Sequence, residues 1–322
     1  MGYTMNNRSM PSPRGPRLLQ WLVVLLFALL AERPLLAAGK LNVVTATQDL
    51  AAIAVEVGGD RVNVLSIAKG YQDPHFVEAK PSFLLNLRKA DLLVVVGLEL
   101  EIGWLPPLIT QSGNPRIQPA AQGYFDASRF AEILEIPTAQ VTRAMGDVHP
   151  QGNPHYWLDP QNGLRVATGL AQKLSEMSPG DTAFFQQRLQ DFRRRLMEAE
   201  RRWDEQMKPY RGRKVITYHQ SWPNFVKRFG LQVADYVEPR PGIPPSPAHV
   251  VELITLMKRQ NVKLILVEPY FDLKTPQSVA RETGGQVVVL MPSVGGNKDA
   301  GDYIKLFDYD VNQLVKAFQQ AR

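Results

Sequence analysis

An α/β fold, two parallel-sheet lobes joined by one long rigid helix, is predicted by three features of this sequence. Short apolar runs alternate with helix-like stretches from Leu41 to about Gly97, and the same alternation resumes after residue 211. Between the two series an unbroken helical period extends from Thr182 to about Lys208. Runs of four to six Val, Leu and Ile residues bounded by Gly and Asp suit strands buried on both faces of a parallel sheet.

In chain order, Leu41 to Ala46 reads as a strand, Leu50 to Val57 as a helix and Val62 to Ile67 as a strand. Ser82 to Arg88 then reads as a helix and Asp91 to Gly97 as a strand. From Thr182, Phe184, Phe185, Leu189, Phe192, Leu196, Met197 and Trp203 recur at helical spacing with no Gly or Pro before Pro209. A capped helix of about 27 residues and roughly 40 Å is expected there. Strands follow at Lys214 to Tyr218, Leu231 to Val237, Lys263 to Val267 and Gln286 to Leu290. Helices fit at Ser221 to Arg228, Pro247 to Arg259, Thr275 to Thr283 and Tyr303 to Gln320. The segment Pro239 to Pro247 holds five prolines and reads as a stiff loop. The expected divisions are 1–38 as a signal peptide, 39–180 as the first lobe, 181–210 as the linking helix and 211–322 as the second lobe.

The leader rests on Arg8, Arg14 and Arg17 ahead of the 13-residue apolar run Leu18 to Leu30, with the small-residue exit Ala37-Ala38-Gly39. That run is shorter than the roughly 20 residues a membrane-spanning helix needs, so export to the periplasm is expected. Residues 1–38 hold four arginines and one glutamate, so the remainder carries only +3 of the formal +6, and a nucleic-acid partner loses its main support. With no cysteine in the sequence, thiolate ligands, disulfides and lipidation at an N-terminal cysteine are excluded.

Three of the five histidines fall at strand or loop edges. His75 ends Gln72-Asp73-Pro74-His75, His155 lies in Asn153-Pro154-His155-Tyr156-Trp157-Leu158-Asp159-Pro160, and His219 closes the apolar run Val215 to Tyr218. Their separations of 80 and 64 residues leave only the fold to bring them together. Strand ends in α/β sheets open onto ligand crevices, and three imidazoles suit zinc, copper, nickel or iron with one position left for a carboxylate or water. His149 is expected on an exposed loop, from which it could join the shell, and His249 on the surface.

Among the carboxylates, Glu78 and Glu238 lie near the expected site, and Asp159 is expected to cap a helix starting at Pro160. Glu268, after a strand, is expected to face the cleft, where it could accept a hydrogen bond from a ligand histidine or bind metal itself. The sequence lacks His-Glu-x-x-His, Gly-x-Ser-x-Gly and a phosphate-cradling loop, so no enzyme is expected. A zinc-dependent hydrolase using an open coordination position, and a metal-independent adhesin or scaffold, are the rival readings.

Over Leu41 to the C-terminus these motifs, together with Gly97-Leu98-Glu99-Leu100-Glu101, Trp104-Leu105, Glu268-Pro269 and Glu282-Thr283-Gly284, resemble the periplasmic solute-binding proteins of zinc and manganese ABC importers. The resemblance implies two lobes on one long helix and a metal held by His75, His155 and His219. It also implies delivery by a monomer to an inner-membrane ABC permease. Many members supply an aspartate after the last strand, where this chain has Met291. Water, Glu268 or His149 is then left as the fourth ligand. The long His/Asp/Glu-rich loop of zinc-specific members is missing, yet three histidines favour Zn2+ over Mn2+, which prefers oxygen.

Overall fold

The computed structural model describes residues 1–8, 10, 39–142 and 145–321. The apolar run of the predicted leader and Ala37-Ala38 of its exit therefore lie outside the described residues. Lys40 onward forms one compact unit.

Both predicted sheets form, and both are fully parallel. The first holds β1 (Leu41–Thr45), β2 (Val62–Ser66), β3 (Leu92–Val95) and β4 (Tyr124–Asp126) in the order β2-β1-β3-β4. The second holds β5 (Lys214–Thr217), β6 (Gln232–Tyr236), β7 (Leu264–Val267) and β8 (Gln286–Val289) in the equivalent order β6-β5-β7-β8. The sequences Leu92-Leu93-Val94-Val95 and Leu264-Ile265-Leu266-Val267 are buried at every position because their alternate residues enter apolar clusters on the two faces of each sheet. β4 escapes the sequence reading: three residues, two of them half-buried, make an edge strand with no apolar run to announce it.

The helices are α1 (Gln48–Gly58), α2 (Pro81–Lys89), α3 (Leu105–Ser112), α4 (Pro160–Met177), α5 (Thr182–Met207), α6 (Pro223–Phe229), α7 (Pro247–Gln260), α8 (Lys274–Thr283) and α9 (Tyr303–Gln320). Asp159 caps α4 as expected, its Oδ1 accepting the Gln161 N–H at 2.9 Å.

The long helix α5 has 26 residues, about 39 Å at 1.5 Å per residue. Its buried stripe, Phe185, Leu189, Phe192, Leu196, Ala199, Trp203 and Met207, follows the three-and-four spacing of one helix face. That face lies in a core shared by both lobes: α5 packs against α1 and α4 on one side and α9 on the other. Arg188 donates to the Glu56 carbonyl at 2.8 Å, Arg195 pairs with the Glu56 carboxylate, and Trp203 Nε1 donates to Asp308 at 2.7 Å. The expected side-chain cap is absent. Asp181 pairs with Arg61 at 3.1 Å and accepts the Ser178 hydroxyl at 2.7 Å instead.

Candidate metal centre

Two short sequences build the first-lobe half of the site by the same device. In Asp73-Pro74-His75 one carboxylate oxygen of Asp73 accepts both the backbone N–H of His75, at 2.9 Å, and its ring Nδ1, at 2.7 Å. In Asn153-Pro154-His155 the Asn153 Oδ1 accepts the N–H and Nδ1 of His155, each at 3.0 Å. The intervening proline has a fixed φ and no N–H of its own, so the Asx oxygen is left to the histidine two residues on. Asn153 is itself oriented, because its Nδ2 donates to Glu135 at 2.9 Å and to the Gln220 carbonyl at 2.7 Å.

Packing then fixes the loops. Trp104 Nε1 donates to the Pro74 carbonyl at 2.9 Å, which accounts for a tryptophan 30 residues downstream of that motif. After His155, the buried turn Tyr156–Leu158 is held by Tyr156 Oη donating to the Val96 carbonyl at 2.8 Å and Trp157 Nε1 donating to the Pro292 carbonyl at 2.8 Å.

From the second lobe, His219 lies two residues beyond β5, at a strand end as expected. Its Nδ1 is 2.8 Å from Glu238 Oε2, an oxygen that also accepts the Gly242 N–H at 3.0 Å. In all three histidines an oxygen acceptor faces Nδ1, which assigns the proton there and leaves the Nε2 lone pair available.

The structure brings His75, His155 and His219 together, with a ligand atom from each lying within 4.8 Å of the others. Ring centroids are 5.2 Å apart for His75 and His155, 5.5 Å for His75 and His219, and 5.7 Å for His155 and His219. One ion bound at about 2.0–2.1 Å from each nitrogen could span them after small ring movements. The Nε2 atoms of His75 and His155 are buried without a hydrogen-bond partner, a condition that costs roughly 1–3 kcal/mol per group. Burial, followed by the nearby His75, His219 and His149, holds His155 well below its usual range, so it stays neutral, the form that binds metal.

Three sequence expectations are corrected. Glu268 does not reach the cluster: it is fully buried and its Oε1 accepts Trp222 Nε1 at 3.0 Å. Burial lifts its carboxyl to about 8, leaving it protonated at neutral pH and a poor ligand. Glu238 takes the part expected of Glu268. His149 is not an exposed loop residue but half-buried, with its ring 5.5 Å from that of His75. Burial, then His75, pushes it down to about 4. His249 is half-buried as well, its Nε2 2.9 Å from the Tyr236 carbonyl oxygen and away from the cluster. Met291 is buried in the core beneath the loop after β8, and its N–H donates to Asp310 at 2.8 Å.

Residues 43–317 match the family model of ZnuA, the periplasmic zinc-uptake complex component A. This chain belongs to that family. The ZnuA family places it among the metal-binding solute-binding proteins of ABC importers. Similar curated proteins include the metal ABC transporter substrate-binding lipoprotein FimA of Streptococcus parasanguinis, 24% identical over 92% of this chain and 96% of that one. The manganese ABC transporter substrate-binding lipoprotein PsaA of Streptococcus pneumoniae is 23% identical over the same shares. A crystal structure of ZnuA superposes with a TM-score of 0.72 at 24% identity, covering 86% of this chain and 99% of that chain.

The sequence reading overlooked Asp73, Asn153 and Glu238 as orienting groups. The first two had a signal in plain view, an Asx two residues before each histidine across a proline. Glu238 had none, since only the pairing of β5 with β6 sets it beside His219.

Proposed function

We propose that this chain captures a divalent transition metal, zinc foremost, between its two lobes through His75, His155 and His219, and delivers it to the membrane permease of an ABC importer. The observation that carries this reading is the convergence of three imidazoles from both lobes, each with its Nδ1 anchored on an oxygen. A nitrogen-rich shell favours zinc over manganese. The relatives' names include both generic metal and manganese, and support metal capture without choosing the ion. Export by the leader would place capture outside the inner membrane, with the protein acting as a monomer.

A hydrolase would need a free general base beside the metal. Glu238 and Asp73 are each engaged with a histidine, and Glu268 faces Trp222, so carriage is the better reading. The test is thermal unfolding of the chelated protein titrated with zinc, manganese, nickel and calcium. Zinc at a thousand times its dissociation constant should add about 4 kcal/mol. His75→Ala, His155→Ala and His219→Ala should each abolish most of that gain; no shift with any metal would end the proposal.

A further inference from the structure

Met291, just after β8, is a buried thioether and offers no carboxylate there, so the fourth side of the cluster depends on what else lies beside it. Among the described residues a fourth histidine, His149, lies beside His75. The His149 ring lies 5.5 Å from that of His75, as far as His219 does. Its Nε2 is buried without a partner, the condition shared by His75 and His155.

Near His149, at Leu98, the chain holds its backbone in an unusual shape. Leu98 belongs to a run of three left-handed residues, Gly97 at φ 82°, Leu98 at 54° and Glu99 at 65°. Two of these are not glycine, and each such residue costs of order 1–3 kcal/mol unless its surroundings enforce it. The buried Glu101 carboxylate enforces it by accepting the N–H groups of Val96 at 2.6 Å and Gly97 at 3.2 Å. Strain of this kind collects at ligand clamps.

The loop of His149 touches the second lobe. The Asp147 N–H donates to the Pro241 carbonyl at 2.9 Å, and Pro241 adjoins Gly242, whose N–H is held by the carboxylate that orients His219. A cavity of about 40 Å³ lined by His149, His155, Asp147, Glu135 and Pro241 leaves room for the ring to move. His149 is also absent from the group whose ligand atoms share the 4.8 Å span.

We infer that His149 is the fourth ligand, completing an all-imidazole shell by swinging onto an ion already held by the other three. The inference rests on the proposed metal-capture reading. It names the selectivity of that site: four neutral nitrogen donors and no carboxylate suit zinc and disfavour manganese. His149 is then the last ligand to bind and the first to leave, and release toward the permease starts with it.

The test uses the full chain loaded with zinc. X-ray absorption at the zinc edge should count four imidazoles in the native protein, and three with one oxygen in His149→Ala. Competition titration should show His149→Ala and His149→Gln losing zinc affinity by at least about tenfold, the scale of a lost metal-site partner, with a smaller loss for manganese. Zinc bound in the native protein by three imidazoles and oxygen, with affinity unchanged in both variants, would overturn the inference and leave the three-histidine reading intact. A native chain that binds no zinc would overturn both.

Discussion

His219 Nδ1 and Glu238 Oε2 lie 2.8 Å apart inside the second lobe, and the same carboxylate oxygen holds the Gly242 N–H of the proline-rich loop at 3.0 Å. The carboxylate thus fixes the histidine tautomer and ties the loop to it. Glu238→Gln keeps an acceptor but removes the charge, and Glu238→Ala removes both. Zinc affinity should fall about 10- to 100-fold in the alanine variant and less in the glutamine variant. Equal affinity in all three proteins, measured by chelator competition, would show that His219 needs no orienting partner.

Asp73 and Asn153 do for the first lobe what Glu238 does for the second, but they differ in charge. Burial raises the Asp73 carboxyl, yet hydrogen bonds and charge from His75 outweigh it, and Asp73 sits below the usual carboxylate range. Asn153→Ala should therefore weaken zinc binding and also cost stability without metal. It removes an amide that bridges His155, Glu135 and the Gln220 carbonyl, and leaving such buried partners unpaired costs roughly 1–3 kcal/mol. Asp73→Asn should weaken binding with a smaller stability change. Denaturant unfolding of both chelated variants checks this, and a stability loss confined to Asp73→Asn would contradict it.

Trp203 reports on the spine. It is fully buried on α5 and its Nε1 donates to Asp308 of α9 at 2.7 Å. Trp203→Ala should destabilise the chain by about 3–5 kcal/mol while leaving zinc stoichiometry at one per chain, because the three histidines stand on loops outside α5. Loss of zinc binding at temperatures where the variant is still folded would mean that the spine sets the geometry of the cleft.

Much of this architecture was legible in the sequence because parallel strands buried on both faces are written as continuous Val and Leu runs, and because α5 keeps one apolar face over seven turns. His75, His155 and His219 were legible as strand-end and post-proline residues. What stayed hidden depends on tertiary pairing. Glu268 and Glu238 both follow strands that flank β5, yet only Glu238 turns toward His219, while Glu268 accepts the Trp222 N–H instead. His149 looked exposed because its loop is polar; it is covered by packing against His75 and by the contact of Asp147 with Pro241.

Asp49, at the start of α1 in the first lobe, is fully buried and accepts the Ser293 hydroxyl and, at 2.9 Å, the Val294 N–H from the loop after β8. Burial lifts its carboxyl from 3.8 to about 7 against those two donors. Between these values the folded chain keeps a proton that the unfolded chain has released. The stability this gives is therefore full below about 3.8 and is lost as pH rises through 7, by up to about 1.4 kcal/mol per pH unit. Glu101 and Glu268 act in the same direction, with carboxyls at about 7 and about 8, whereas His149 and His155 act oppositely below about 6.5. Comparing the native chain with Asp49→Asn cancels those shared contributions. The native protein should gain on the variant steadily as pH is lowered from 8 to 5 in chelated urea unfolding. A difference that stays flat across that range would mean the Asp49 carboxylate is already satisfied in its charged form, and that the tie between α1 and the loop after β8 is an ionised one.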